Sequence, residues 1–433
     1  MKKRILIICN DFPPYNSVGA ERPASWCRHA DPDQFEIIVF TRKWKAQVRC
    51  LADYYENPPD APEFSHYGTA KVFYCDFKPN LRDKLILKRT NKSFWVYLQK
   101  FLTSFYYWAP FFFSCTDSTR TIYLKAKEFL KKNLGSYSLI IATGEPFISF
   151  LYAYKLSKEF NIPWIADYRD GWSLNYGFKY MPFLQKIILK YLLRPLEIRL
   201  VKTSAAVTTV TEKLSYQLGE LLNRPVHVIP NGYEPEDIEK LSPRALPFKD
   251  KFTIMYSGTL YPFQPLEEFV SFFIQFTKKY SIKEKDIRFV FVGSLHQKNR
   301  INRAFYSLNC ELRITPRLPR HQSVRLIQKA HLLLFLASDS VDGSAVKIYD
   351  YMAVQRPVIV FRNDYGTIEK LIRENQCGLL IEKDQNAYEQ LHYYYQNWIL
   401  KNYEAFRTNP INIQSYSRKN LTNKMLTLAA SYI

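Results

Sequence analysis

The sequence has no two cysteines at short spacing. Its seven cysteines stand at 9, 27, 50, 75, 115, 310 and 377, an odd number with no CxxC pair. That excludes a complete disulfide framework and argues against a structural zinc site, which needs clustered thiolates. No Asp/His cluster at metal-ligand spacing compensates. Long apolar runs are missing too. The longest uncharged stretch lies between Lys100 and Asp117, 16 residues interrupted by Pro110, short of the ~20 a spanning helix needs. The opening MKKRILIICNDFPP has a charged start but only about five apolar residues before Asn10, fewer than a signal peptide carries. No segment repeats at a period of roughly 20–50 residues. Negative charge is short relative to positive: 61 Lys and Arg face 40 Asp and Glu, a net +21. These absences read as a reduced, cytosolic protein with an anionic partner. What is present is core material. With 433 residues, 47% hydrophobic and 23% charged, the chain is no disordered scaffold and has length for two or three domains.

The positive charge is unevenly placed. Between Lys78 and Lys132 stand twelve Lys/Arg against three acids, so 55 residues carry +9 of the excess. Inside that region lies KSFWVYLQKFLTSFYYWAPFFFSC, with eleven aromatics from Phe94 to Phe113. Phe94, Phe101, Phe105 and Trp108 recur at helical spacing. A basic, aromatic amphipathic segment too short to span lies in a membrane interface. The alternative is aromatics in the core under a solvated lysine face. Specific nucleic-acid binding is disfavoured, because the cations flank the aromatics instead of interleaving with them.

Short apolar runs alternate with longer amphipathic ones. Seven of them, at 4–8, 36–40, 71–74, 139–141, 164–166, 206–210 and 226–229, form one series. Six more, at 252–256, 288–292, 312–314, 332–335, 358–360 and 379–381, form another. Continuous apolar strands separated by helices predict parallel sheets covered on both faces. Thirteen strands exceed one comfortable sheet, so the chain divides in two. The seam falls in Pro230–Lys251, where SPRALPFKD brings two prolines and no strong period. The expected organisation is an α/β domain at 1–235, a linker at 236–251 and a second α/β domain at 252–405. A terminal helical stretch, 406–433, has no sheet of its own and crosses back to the first domain. Residues 54–66, YYENPPDAPEFSH, read as a surface loop.

Ligands of open α/β sheets bind at the carboxyl ends of the strands, and four places there carry chemistry. The first strand runs into CNDFPPYNSVGAERPAS, where the Gly19-Ala20 turn leads into a helix. Gly19 lets backbone N–H groups approach an oxyanion and Arg22 can pair with it. The pattern is not GxGxxG, so a dinucleotide site is disfavoured, and an ordinary βα turn is the competing reading. In PWIADYRDGWS a strand delivers Asp167, Arg169 and Asp170 to the same edge. They form either an internal ion-pair network or substrate-positioning groups. Thr143-Gly144-Glu145-Pro146 ends a neighbouring strand and brings Glu145 to the cluster. In the second half, Tyr256-Ser257-Gly258-Thr259 and Val292-Gly293-Ser294 end strands in glycine, with a helix starting near Gln264.

The fourth place is SDSVDGSAVKIYDYMAVQRPVIVF, 338–361. It predicts a helix over Ser344–Val354 whose first turn, after Gly343 and through Ser344, Ala345 and Val346, offers free N–H groups to a phosphate. Lys347 stands one turn in, Asp342 before the helix and Asp350 two turns in. A carboxylate paired with vicinal hydroxyls can hold a ribose or a hexose. A solvated loop acid and a helix-surface acid are the plainer alternative.

On FPPYNSVGAER, DYRDGW, VIPNGYE, YSGTLYPFQPLEEF and Asp342-x7-Asp350 followed by YMA and RPV, the sequence resembles the retaining, nucleotide-sugar-dependent glycosyltransferases of family 4. The resemblance covers nearly the whole chain. It implies the GT-B fold, two Rossmann-like domains facing a cleft, with the acceptor on the first and the donor nucleotide sugar on the second. By carry-over of the family's E-x7-E motif, Asp342 contacts donor-sugar hydroxyls and Asp350 the ribose. The phosphates meet Lys347, its helix N-terminus and the Gly19 loop. The sequence departs from the family in having Asp for both motif glutamates. It departs again where many relatives place an Arg and a Lys after the first glycine of the second domain, positions that read Thr259 and Gln264 here.

The implied reaction transfers a sugar to an acceptor hydroxyl with retention, the leaving phosphate taking the acceptor proton. Asp342, Lys347, Arg169 and Asp170 are the expected catalytic group. No cofactor or metal is expected. The aromatic, basic segment suggests a lipid-linked saccharide acceptor, as in surface-polysaccharide, lipopolysaccharide or capsule assembly. The enzyme is then peripheral to the inner face of the cytoplasmic membrane. A GT-B nucleotide-sugar epimerase or inverting transferase is the alternative. A non-catalytic basic protein binding membrane or nucleic acid is a second.

Overall fold

The computed structural model describes residues 2–48, 50–88, 93–174, 183–242, 245–337, 346–381 and 386–433. The chain divides into two compact units, Met1–Pro230 with Lys419–Ile433, and Asn231–Arg418. Residues 236–251 and 406–418 thus belong to the second unit.

The first unit is built on β1 (Lys3–Ile8), β2 (Phe35–Arg42), β3 (Phe64–Tyr67), β4 (Ala70–Cys75), β5 (Leu139–Gly144), β6 (Trp164–Tyr168), β7 (Ala206–Thr209) and β8 (His227–Val228). Their order is β3-β4-β2-β1-β5-β6-β7-β8, parallel throughout except for β3. Ile5 pairs in register with both Ile37 and Leu139. Ile5 to Ile8 are all fully buried because each sheet face is covered. Leu6, Ile8 and Ile140 pack with Ala126, Phe150 and Leu218 on one side. Ile5, Ile7 and Ile141 pack on the other with Ala24 and Trp26 of the helix Val18–His29. That second side also receives Leu421, Met425, Leu426 and Ala429 from the terminal helix Arg418–Ala430. The last helix therefore completes the first unit's core, as expected.

Strand β3 corrects the reading of 54–66 as a loop. It pairs antiparallel with β4 at the sheet edge, and Gly68 turns the chain with φ +56°. An edge strand with one wet side lacks a continuous apolar run, and FSHY shows none.

The second unit holds β9 (Phe252–Ser257), β10 (Ile287–Val292), β11 (Glu311–Ile314), β12 (Leu332–Leu336), β13 (Val358–Phe361) and β14 (Gly378–Ile381). All are parallel, in the order β11-β10-β9-β12-β13-β14. Counted from β9 this is 3-2-1-4-5-6, the doubly wound dinucleotide-fold order, whose direction of winding reverses between β9 and β12. In the first unit it reverses between β1 and β5. These reversals open a crevice at the strands' carboxyl ends, and the sequence motifs fall at both.

The aromatic segment forms the helix Ser93–Phe112. Ala109 and Leu102 are buried and Tyr107, Trp108 and Phe111 pack on the core, whereas Phe94 and Phe101 stand 69% and 64% exposed. One face of the helix thus packs on the core, as the second reading had it, and the other leaves these two rings exposed. No helix among the described residues is long and apolar enough to cross a membrane.

Candidate functional site

At the first unit's edge the winding reversal brings together the loops after β1, β5 and β6. Ser17 caps the helix Val18–His29, its Oγ accepting the Ala20 N–H at 3.2 Å. The same Oγ donates to Asp11 Oδ2 at 3.1 Å, and Asn10 Nδ2 donates to Asp11 Oδ1 at 2.8 Å. A resident carboxylate thus lies against the helix N-terminus, where it is favoured by the helix dipole. Arg169 stretches over this loop. Its Nε donates to Gly144 O at 2.9 Å, its Nη2 to Glu145 O, and its Nη1 lies 3.9 Å from Asp11.

Gly19 is required here for a reason other than the one expected. A Cβ on it would lie 1.7 Å from Arg169 Nη1 and 2.7 Å from Asp11 Oδ2. The missing side chain makes room for the protein's own guanidinium and carboxylate, and Ala20's N–H is spent on the cap. The expectation that this loop cradles a phosphate is corrected to that extent.

Arg22 and Asp167 are likewise turned inward. Arg22 Nε donates to both Asp167 oxygens at 3.1 and 2.9 Å, and its Nη2 to Oδ1 at 2.7 Å. Nη1 donates to Ile229 O at 2.8 Å. Thr208 Oγ1 donates to Asp167 at 2.6 Å, and the two charges are 3% and 0% exposed. This is the internal ion-pair reading, reached because the partners lie 145 positions apart in sequence. It leaves neither group for a ligand.

Glu145 and Asp170 behave differently. Both are solvent-exposed and neither carboxylate has a hydrogen-bond or ion-pair partner among the described residues. Protein crowding around them displaces water and raises both carboxyls above the usual range. The charge of Asp170 pushes Glu145 further and Arg169 opposes it. Trp172, by contrast, is an anchor, stacked on Phe147 at 5.2 Å.

At the second unit's edge, β9 and β10 end side by side. Gly258 (φ +109°) and Gly293 (φ +84°) occupy conformations that L side chains rarely adopt. Gly258 N donates to Val292 O at 2.8 Å, and Ser294 Oγ to Gly258 O at 2.8 Å. Thr259 is exposed. Gln264 is not: it is 7% exposed, its Oε1 taking Tyr256 OH and Tyr261 N, each at 2.9 Å, and its Nε2 giving to Leu336 O at 3.1 Å. It pins the loop from within, which corrects its assignment as a donor contact.

The described helix behind this edge is Lys347–Ala353, with Val346 at its N-cap. Asp342, Gly343, Ser344 and Ala345 lie outside the described residues. Tyr351 OH accepts Ser257 N at 2.7 Å and ties the helix to the end of β9. Lys347 extends under the edge, Nζ 3.9 Å from the Tyr256 ring centroid and 5.1 Å from that of Phe335. Burial alone brings its ammonium down to about 7, and no anion faces it among the described residues. Asp350 accepts from Arg320 Nη2, and Arg320 Nε reaches Asp237 at 2.8 Å. Burial raises the Asp350 carboxyl against the pull of Arg320 and Arg418.

Sequence reasoning missed Asp11, Arg320 and the packing of Tyr256. Asp11, a polar residue directly after a buried strand, carried a readable signal. Arg320 carried none.

Comparisons with known proteins bear on the family and the fold. Residues 237–410 match the family model "Glycosyl transferases group 1". No curated protein matches in sequence. Among solved structures, the trehalose-6-phosphate synthase OtsA superposes with TM-score 0.61 at 12% identity, covering 99% of each chain. Anabaena HepE, in complex with UDP and glucose, gives 0.57 at 12%, covering 99% of this chain and 100% of that one. A glycosyltransferase from Rickettsia africae gives 0.57 at 13%, with 100% and 98% covered. At such identities the likeness carries the fold, which is GT-B, and the family match falls within the second unit.

Proposed function

We propose that the chain is a retaining glycosyltransferase of the family 4 type, moving a sugar from a nucleoside-diphosphate sugar to a hydroxyl of a lipid-linked saccharide. The observation that carries this is Lys347. A half-buried ammonium walled by apolar faces is poorly solvated unless an anion compensates it, and here two aromatic faces are its described company. It stands at the winding reversal of the unit that matches the family model. A diphosphate there supplies the missing charge. HepE's solved complex with UDP and glucose supports the same class of donor.

In the proposed reaction the acceptor oxygen bonds to the anomeric carbon on the face from which the nucleotide departs. The C1–O bond to the phosphate breaks with its electron pair going to the phosphate oxygen, which takes the acceptor's proton. Stabilising the departing diphosphate is then the protein's main task, and Lys347 supplies it without a metal ion. Asp350 is assigned to the ribose and Asp342 to the sugar hydroxyls. Glu145 and Asp170, unpaired at the first unit's edge, are assigned to acceptor hydroxyls.

Contact with the inner face of the cytoplasmic membrane is supported by two neighbouring helices. Gln185 Nε2 donates to Ser104 Oγ at 2.7 Å, which sets the helix Phe183–Ile188 beside Ser93–Phe112. Phe94, Phe101, Phe183 and Tyr191 are 64–79% exposed, in the neighbourhood of Lys84, Lys88 and Lys190. Exposed rings among lysines fit an anionic lipid interface, the place of a polyprenyl-linked acceptor for surface polysaccharide.

A thermal-shift panel of UDP, GDP, dTDP, ADP and CMP sugars tests the donor class, because a ligand of the native state raises its melting temperature by mass action. No response to any member would overturn the transferase reading.

A further inference from the structure

Between Gly258 and the helix Leu266–Lys279 the chain forms a loop whose backbone is held from every side. Tyr256 OH shares its one proton between Thr259 O and Gln264 Oε1, each at 2.9 Å, and His296 Nε2 meets Leu260 O at 3.2 Å. Arg300 gives Nη1 to Tyr261 O at 2.9 Å and Nη2 to Gln264 O at 2.7 Å, while Glu267 fixes its other edge at 2.6–2.7 Å. Leu260 is fully buried beneath. On this rigid base stand Tyr261 and Phe263, 50% and 44% exposed. Their rings are stacked with centroids 5.4 Å apart and planes within 5°. Surface aromatics usually lie down on neighbouring apolar atoms to escape water. Here two half-exposed rings are instead held parallel on a loop pinned by these bonds.

We propose that the Tyr261–Phe263 pair is a stacking platform for the pyranose ring of the donor, a specificity element on the loop between Thr259 and Gln264. The proposal rests on the transferase reading and gives it a sugar subsite. A pyranose presents a face of C–H groups, weakly positive, that suits the negative face of an aromatic ring. A nucleobase needs its edge read as well as its face, and the loop's carbonyls at Thr259, Leu260, Tyr261 and Gln264 are already engaged. The Thr259 hydroxyl, exposed and with no partner among the described residues, is left to meet a sugar hydroxyl. Tyr256 joins platform and charge. Its ring carries Lys347 on one side and its hydroxyl holds Thr259 and Gln264 on the other, so one side chain separates the phosphate-facing ammonium from the loop that presents the rings. Because the platform is rigid before ligand arrives, little ordering entropy opposes its use.

The test compares Tyr261→Ser/Phe263→Ser with wild type, using UDP-, GDP-, dTDP-, ADP- and CMP-sugars and each matching free nucleotide, by thermal shift and then calorimetry. The double variant is expected to bind the nucleotide sugar about tenfold more weakly and the free nucleotide within about twofold of wild type. Tyr261→Phe, which keeps both rings, is expected to retain sugar affinity. Equal losses for sugar and free nucleotide would make the platform a base site, and no loss for either would leave it without a donor role. A wild type that gains nothing from the sugar moiety also overturns the proposal. A wild type that binds no member of the panel instead sinks the transferase reading, and the subsite falls with it.

Discussion

At the first unit's edge the cations are already answered. Arg22 is closed on Asp167, Arg169 is spent on two carbonyls beside Asp11, and the carboxylates left over, Glu145 and Asp170, are the groups that reach solvent. At the second unit's edge the balance is inverted. Asp350 is answered by Arg320, and the charge left over is the ammonium of Lys347. The two sheets share a winding plan and strand-end glycines, yet one edge faces a ligand with spare acceptors and the other with a spare cation. The lesson is that the fold supplies the crevice and the residual charge after internal pairing decides its guest. In the proposed function a neutral, hydroxyl-rich acceptor meets the first and a diphosphate the second.

The sharpest way to break this contrast is Lys347→Met. Nucleotide-sugar affinity is expected to fall at least roughly 100-fold, as befits the loss of a desolvated charge pair. The ligand-free protein is expected to melt higher, because a half-buried, poorly solvated charge has gone. The pH dependence separates this from a folding defect. The lysine's folded value of about 7 lies below its ordinary 10.5, so the unfolded chain binds more protons between those values. Wild-type stability therefore rises with pH across that window, and this lysine's share of the rise is expected to vanish in the variant. Lower ligand-free stability in Lys347→Met would count against an unanswered ammonium.

The converse probe is Asp167→Asn in the first unit. It leaves Arg22 buried without its charge partner, at a cost of about 3–5 kcal/mol, visible in urea unfolding. Nucleotide affinity measured below the transition should stay at the wild-type value. A loss of binding with unchanged stability would return Arg22 and Asp167 to the site.

Asp350→Ala and Asp342→Ala sharpen the second edge. Asp350→Ala is expected to weaken free nucleotide and intact donor alike, by roughly tenfold to 150-fold. Asp342→Ala should spare the free nucleotide and weaken the donor. Equal losses in Asp342→Ala, read by calorimetry, would undo the assignment of that motif. Smaller still is the membrane effect. Replacing Lys84, Lys88, Arg89 and Lys92 with Gln should reduce sedimentation with anionic vesicles by roughly fivefold per effective charge, leaving nucleotide affinity intact. Normal vesicle binding by this variant would move the docking surface elsewhere. The smallest expected effect is none at all. Activity should survive EDTA, and loss restored by Mg²⁺ or Mn²⁺ would show that Lys347 does not act alone on the diphosphate.

Much of this architecture was legible in the sequence because both sheets are covered on both faces. Such strands read as unbroken apolar runs, and RILII, FTIMY and LLLF stand out for that reason. Strand β3 did not, since FSHY sits at an edge with one wet side. Within the sites, what could be read was which residues reach the carboxyl ends. What each does there depends on partners far along the chain. Arg22 meets Asp167 across 145 positions, and Arg320 meets Asp350 across 30, so no local pattern distinguishes a spent arginine from a free one. Gln264 shows the same limit. Its place after a glycine matched a ligand-contacting position by resemblance, and only the packing of Tyr256 and Leu336 turns it inward. Asp342 and its neighbours remain a reading of motif alone.

The terminal helix has a consequence for how the protein is made. Its residues Leu421, Met425, Leu426 and Ala429 fill the same core as Ile5, Ile7 and Trp26, so one hydrophobic interior is assembled from the two extremes of the chain. During synthesis the second unit, Asn231–Arg418, emerges entire before the first can close its interior. Tyr233 and Ser417, the near ends of that second unit, are bridged to each other, so it is a loop-closed insertion within its host. Removing the last fifteen residues therefore strips apolar cover from the sheet made first and leaves the one made second with all of its strands. Until residues 421–429 have been made, that face of the first sheet lacks part of its apolar cover.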